Sequence, residues 1–113
     1  MHEMSIAESV LEIVQESMHK NDARKLLSVT VEIGELTAVI PESLEFCFQA
    51  ITENSAYKGA DLKIVNVPLQ GLCRKCDTEF HIEKYQFICP ACQSNDVKVT
   101  GGQELNVTEL EVE

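Results

Sequence analysis

Two C-x-x-C pairs, Cys73-Arg74-Lys75-Cys76 and Cys89-Pro90-Ala91-Cys92, are separated by twelve residues and constrain this chain more than any other feature. A C-x-x-C turn brings two thiolates onto one ion. Two such turns supply a tetrahedral four-sulfur shell, which structural zinc prefers. The spacer is slightly shorter than the commonest ribbon spacing but long enough for a hairpin. Four protein ligands leave no open coordination position, so the site alone predicts a folded module and not a catalyst.

The remaining composition sets the frame. A length of 113 residues fits one domain, or a small domain with a metal-stabilised appendage. A hydrophobic content of 44% is globular, and with no tryptophan the core must be mostly aliphatic. No apolar run approaches the ~20 residues of a membrane span. The start, Met1-His2-Glu3, has no basic region or apolar block, which predicts no signal peptide and a cytoplasmic protein. Five cysteines, four of them in metal spacing, fit a reducing cytosol better than a disulfide framework. A thioredoxin-like use of one pair is the rival reading, and the second pair favours metal.

The net charge is −10. Within residues 68–103 four basic residues (Arg74, Lys75, Lys84, Lys98) balance four acids (Asp77, Glu79, Glu83, Asp96), so the surplus lies outside the cysteine module. Nucleic-acid binding needs a basic footprint to displace counterions from phosphates, and the chain has none. The acidity serves solubility or draws cations and basic partners.

Along the chain, Ser5-Ile6-Ala7-Glu8 has the form of a capping box. Ile6, Val10, Ile13, Val14 and Met18 follow helical spacing, with Ala7 and Leu11 widening the stripe. This predicts a helix from about Ser5 to Lys20, behind a free lead of Met1 to Met4. Leu27, Val29, Val31 and Ile33 alternate with polar residues, predicting a strand ended by Gly34. Pro41 opens a second helix with Leu44, Cys47, Phe48 and Ile51 on one face, and Leu62 to Val67 forms a second strand. A strand–helix–strand unit of this length implies a parallel crossover. Pro68 to Leu72 reads as a hinge. Thr78 to Ile82 and Tyr85 to Ile88 read as a ribbon hairpin. Leu105 to Val112 reads as a last strand, with a bulge where the apolar phase slips between Val107 and Leu110. The expected fold is α+β: two helices on a three-stranded mixed sheet, with an inserted zinc-ribbon-like β module. Residues 1–67 and 104–113 would form the first domain and residues 68–103 the zinc-binding domain.

The amino end has its own coordination chemistry. The His2 amide nitrogen and imidazole Nδ1 can close a six-membered chelate ring. The Met1 amine or the Glu3 amide closes a five-membered ring beside it. Fused rings favour a planar nitrogen-rich shell, which suits nickel(II) or copper(II) and not zinc. A histidine at position two can equally be an accident, and a helix N-terminus repels a cation.

Met1-His2-Glu3 before an amphipathic helix, Ile33-Gly34-Glu35 at a strand end, Leu44-Glu45-Phe46-Cys47-Phe48 on a second helix, and two C-x-x-C pairs before a final strand together resemble the HypA/HybF family across essentially the whole chain. Its members are nickel-insertion accessory proteins for hydrogenase and, in some bacteria, urease. The resemblance implies a nickel-binding α/β domain carrying a zinc domain. His2 would be the principal nickel ligand, with Glu3 and nearby backbone nitrogens, including the Met1 amine, around the same ion. Cys73, Cys76, Cys89 and Cys92 would hold zinc. Some members add an acidic ligand from the loop before the second helix. Here that loop reads Val39-Ile40-Pro41-Glu42, where Ile40 cannot ligate and Glu42 is a nearby candidate. The implied partners are the nickel-loading GTPase of hydrogenase maturation, the hydrogenase large subunit and urease accessory proteins.

Other residues have plainer roles. Cys47 lies on an apolar helix face and reads as core. His19 sits at a helix end. His81 reads as a solvent-facing strand histidine, or as one that exchanges into the zinc site. No Ser-His-Asp arrangement, phosphate loop or pair of catalytic acids stands out, so no catalytic residues are assigned. Two functions from different classes remain: a nickel metallochaperone, and a zinc-ribbon interaction module without a transferable metal. A zinc enzyme would need an open zinc position, which four sulfurs deny.

Overall fold

The computed structural model describes residues 3–113. The readings placed on Met1 and His2 lie outside those residues. In chain order the elements are α1 (Glu3–Lys20), β1 (Leu26–Gly34), a 3-10 turn (Glu35–Thr37), α2 (Pro41–Thr52), β2 (Asp61–Val67), β3 (Gln70–Cys73), β4 (Glu79–His81), β5 (Val97–Gly101) and β6 (Leu105–Val112).

Two helices and three strands form the α/β layer. The sheet order is β2-β1-β6, with β1 parallel to β2 and antiparallel to β6. The mixed sheet and the parallel strand–helix–strand unit follow the sequence. Helix α1 contributes Ile6, Ala7, Val10, Val14 and Met18 to the core, and α2 contributes Leu44 and Phe48, against Val29, Val31 and Ile33 of β1. Cys47 packs at the edge of this core, as its helical position predicts.

Three local readings change and a fourth holds. Glu3 and Met4 are already helical, so Ser5 is not an N-cap and no free lead reaches Met4. Ile13 is 47% exposed, because it borders the groove between α1 and β6 instead of facing the sheet. In β1 the register shifts between Leu26 and Ser28, so Leu26 is buried and Leu27 half-buried. The bulge in the last strand is where the apolar phase slips: Thr30 pairs Glu109 while Val31 pairs Val107, leaving Thr108 as the extra residue. Leu110 thereby joins Leu105 and Val107 against the core.

The second sheet, order β4-β3-β5, is antiparallel throughout. Here the sequence misplaces the strands. The expected hinge is two residues, Pro68 and Leu69, and Leu69 is fully buried; Gln70 already begins β3, the central strand. The hairpin partner of β4 is β3, joined through the first C-x-x-C turn. Tyr85 to Ile88 forms no strand: Lys84 and Tyr85 take positive φ, and the segment runs exposed to the second cysteine pair. The other partner of β3 is β5, a strand the sequence reading missed.

The chain passes between the sheets twice, at Pro68–Leu69 and at Gly102–Glu104. The strands meet closely there: Gly34 N–H donates to Glu104 O (2.7 Å) and Leu36 N–H to Gly102 O (2.8 Å). A Cβ on Gly34 would collide with the Gly102 carbonyl, so only glycine permits this approach. The molecule is long, 54 × 25 × 16 Å, with a radius of gyration of 17.5 Å. A compact chain of about 100 residues has ~13 Å.

Candidate metal centres

The two C-x-x-C segments fold into matching turns. In the first, Cys73 O accepts from Asp77 N–H (2.9 Å) and Cys73 N–H donates to Thr78 O (3.0 Å). In the second, Cys89 O accepts from Gln93 N–H (2.9 Å) and Cys89 N–H donates to Ser94 O (2.8 Å). Each turn ends on a left-handed residue, Asp77 (φ 59°) and Gln93 (φ 66°), which reverses the chain without glycine. Arg74 N–H donates to Asp96 O (2.9 Å), tying the first turn to the segment that enters β5.

These turns bring all four sulfurs within 4.8 Å of one another. Cys73 and Cys92 Sγ are 3.5 Å apart, and Cys76 and Cys89 Sγ 3.6 Å. Each pair joins one turn to the other. Cys73 and Cys89, the first residue of each turn, are buried; Cys76 and Cys92 are exposed. Among the described residues this is the one cluster of metal-ligating side chains.

The thiols differ sharply. The Thr78 hydroxyl and backbone hydrogen-bond the Cys76 sulfur (Oγ1 at 3.1 Å) and lower its pKa to about 6. At Cys92 a backbone hydrogen bond from Ser94 pulls downward. The Cys73 sulfur, desolvation and the other two sulfurs outweigh it and raise the thiol to about 12. The Thr78 hydrogen bonds therefore favour the thiolate at Cys76, the crowding of sulfurs and desolvation favour the thiol at Cys92, and a bound cation would favour the thiolate at both.

In the α/β layer, the Glu3 carboxylate reaches the start of α2. It accepts from Ile40 N–H (3.5 Å) and Ser43 Oγ–H (3.4 Å). Both helices therefore begin beside one carboxylate, which offsets their positive ends. Glu42 is exposed in the first turn of α2. Sequence reasoning missed Ser43 and Thr78, since a hydroxyl near a carboxylate or thiol carries no spacing signature.

His81 is a solvent-facing residue of β4, as its alternation predicts, and it lies outside the sulfur cluster; the sequence did not show that its Nε2 lies 3.0 Å from Glu35 Oε1, between the two sheets.

Comparison with known proteins bears on the whole of this arrangement. The family model described as "Hydrogenase/urease nickel incorporation, metallochaperone, hypA" matches residues 1–112. The chain belongs to the HypA family. It is 48% identical over 113 residues to the hydrogenase maturation factor HypA of Geobacter sulfurreducens and 47% identical to that of Geobacter metallireducens, each comparison covering 100% of both chains. The solution structure of the Ni metallochaperone HypA from Helicobacter pylori matches with a TM-score of 0.68 and 30% identity, covering 99% of this chain and 97% of that one. The family is one of metallochaperones and maturation factors and not of enzymes, in keeping with the closed sulfur site. Among the described residues no helix is long and apolar enough to cross a membrane.

Proposed function

We propose that this HypA-family chain holds a transferable nickel(II) ion at its amino end and a structural zinc ion among its four cysteines, and hands the nickel to a hydrogenase under maturation. The observation that carries the reading is the full-length match to a nickel-incorporation family on a chain that keeps both donor sets. The two sheets support a division into a nickel-binding domain (residues 1–67 and 104–113) and a zinc-binding domain (residues 68–103).

Zinc fits the sulfur quartet. A tetrahedral ion with Zn–S of about 2.3 Å sets its sulfurs ~3.8 Å apart along each edge. The cross-turn separations of 3.5 and 3.6 Å lie close to that edge. When bound, zinc would offset two of the four thiolate charges and fix the two turns to each other, with protein sulfur in all four of its positions.

Nickel is the cargo, and its site has the opposite character. The His2 imidazole and the nearby backbone nitrogens can close fused chelate rings, with the Met1 amine and the Glu3 carboxylate as further donors. A terminal peptide can exchange its ligands one at a time, as delivery requires. Copper(II) would outcompete nickel there in vitro, so selectivity must come from supply and from the delivery partner. The partners we propose are the nickel-loading GTPase of the pathway, the hydrogenase large subunit and, where present, urease accessory proteins. The excess charge of −10 suits basic docking surfaces. The protein acts in the cytoplasm on this reading.

The test is His2→Ala in untagged protein, followed by equilibrium dialysis. Specific nickel binding should be lost while one zinc per chain and the fold remain. Unchanged nickel affinity overturns the assignment, and the chain would then be a zinc-stabilised interaction module.

A further inference from the structure

We infer that Glu35 and His81 form a pH-gated latch that sets the position of the cysteine sheet on the α/β layer. The inference rests on the two-domain reading above. Glu35 follows directly on β1, and its Oε1 does two things at once. It accepts from Leu69 N–H (3.0 Å) in the first crossing, and it meets His81 Nε2 (3.0 Å) on β4. Leu69 O in turn accepts from Ile82 N–H (2.8 Å), next to His81. One carboxylate therefore gathers the end of β1, the crossing segment and the outer strand of the cysteine sheet.

Among the described residues no helix or strand of the α/β layer packs broadly on a strand of the cysteine sheet. The crossings and this pair hold the two together along an extended molecule. With so little buried contact at the junction, one charge-assisted hydrogen bond has leverage that it lacks on a broad interface.

The charged groups facing His81 are both acids. Glu35 comes from the turn after β1, and Glu83 lies beyond β4 with its carboxylate 3.9 Å from His81 Nδ1. Gln70, opposite on β3, and Gly101, beyond it on β5, bring no charge. The Glu35 hydrogen bond raises the His81 pKa above 6.5, and the Leu69 amide and His81 lower that of Glu35 below 4.5. A raised histidine pKa means that the contribution is complete below the unfolded value and is lost as pH rises through the folded one. The lowered carboxyl pKa sets the acid limit, where the contribution is lost as pH falls through the folded Glu35 value. The latch is therefore closed in mild acid and released in the alkaline direction. The segment that follows Glu35 ends at Ile40 and Ser43, the two groups that meet the Glu3 carboxylate, so the latch is anchored on the segment that adjoins the proposed nickel end.

Methyl residual dipolar couplings on the full-length zinc-loaded protein test this. Val29, Val31 and Leu44 report on the α/β layer, and Leu72, Val97 and Val99 on the cysteine sheet. At about pH 6 both sets should give one alignment, and at about pH 9 the alignment of the cysteine sheet should fall by about twofold relative to the other. His81→Gln should give the released pattern at both pH values. His81→Lys, still cationic at the higher pH, should stay latched. A wild-type pattern that ignores pH overturns the latch, and so does a pH response that survives in His81→Gln. Independent alignment with no response to pH or position 81 sinks the latch alone. A single rigid alignment in every sample sinks the latch and the two-domain reading together.

Discussion

The α/β layer and the cysteine sheet hold their shape by different means. The layer buries a continuous, mostly aliphatic core: five residues of α1, two of α2 and the inward face of β1. The cysteine sheet buries Leu69, Ile82, Cys73 and Cys89, two of which are metal-ligand candidates. Two large apolar side chains cannot offset the entropy of ordering three strands and two turns. The layer is an ordinary hydrophobic fold, whereas the sheet lacks a core of its own that could hold it, and the ion we propose among its four cysteines would supply the cross-link. This suits the division of labour proposed above, because a stable platform can present a labile terminal site only if its own folding does not depend on cargo.

Removing the sulfur-bound ion is the strongest way to break the comparison. Cys89→Ser should abolish stoichiometric zinc and unfold the cysteine sheet, since structural zinc in small modules is worth about 10–16 kcal/mol. Resonances of β3, β4 and β5 should collapse toward random-coil positions while those of α1 and β1 stay dispersed. Loss of dispersion throughout would mean that the layer borrows its stability from the sheet.

Phe48→Ala makes the reverse cut. Phe48 is fully buried between the helices and β1, and its truncation should cost about 3–5 kcal/mol of layer stability in urea melts. Zinc stoichiometry should be unchanged, because no sulfur ligand touches that core. A parallel loss of zinc would join the two regions into one cooperative unit.

A smaller effect is expected within the sulfur site itself. Thr78→Val removes the hydroxyl 3.1 Å from Cys76 Sγ, the main cause of the low thiol pKa of about 6. Between about 6 and the free value of 9.0 the Cys76 sulfur is already a thiolate, whereas an untuned thiol must first lose a proton to bind zinc; above 9.0 both are thiolates and the advantage disappears. Competition against a chelator near neutral pH should therefore show zinc affinity about tenfold weaker in the variant, with the gap closing in stronger base. Equal affinities at neutral pH would mean that the Ser94 and Thr78 backbone bonds alone tune the site.

Most of the layer was legible because its rules are periodic. The 3.6-residue stripe of α1, the alternation of β1 and the phase slip at Thr108 each map onto one physical cause. Errors fell where a bulge or a close neighbour overrides the period: Leu26 replaces Leu27 in the core, and Ile13 borders a groove. The cysteine sheet was legible in the clustering of its four sulfurs and not in its strands. Four sulfurs at fixed spacing declare themselves, but β3 was hidden behind Pro68 and β5 carries only a short alternation, Val97 and Val99. The Glu35–His81 contact was invisible, since residues 46 apart meet through tertiary geometry alone.

The smallest effect sharpens the contrast between the two proposed metal centres. Every sulfur turn is fixed by backbone hydrogen bonds of 2.8–3.0 Å, whereas the Glu3 carboxylate is held by contacts of 3.4 and 3.5 Å, at the limit of a hydrogen bond. Ser43→Ala removes one of them. Because the site is partly exposed and the geometry long, the loss should stay within about 0.5 kcal/mol of stability by urea melt. A cost above about 1.5 kcal/mol would mean that Glu3 is anchored as firmly as the cysteines. A lightly held carboxylate can move with an arriving ion and return to α2 when the ion leaves. The sulfur turns, fixed by their backbone bonds, have no such freedom, which suits the structural ion we propose there.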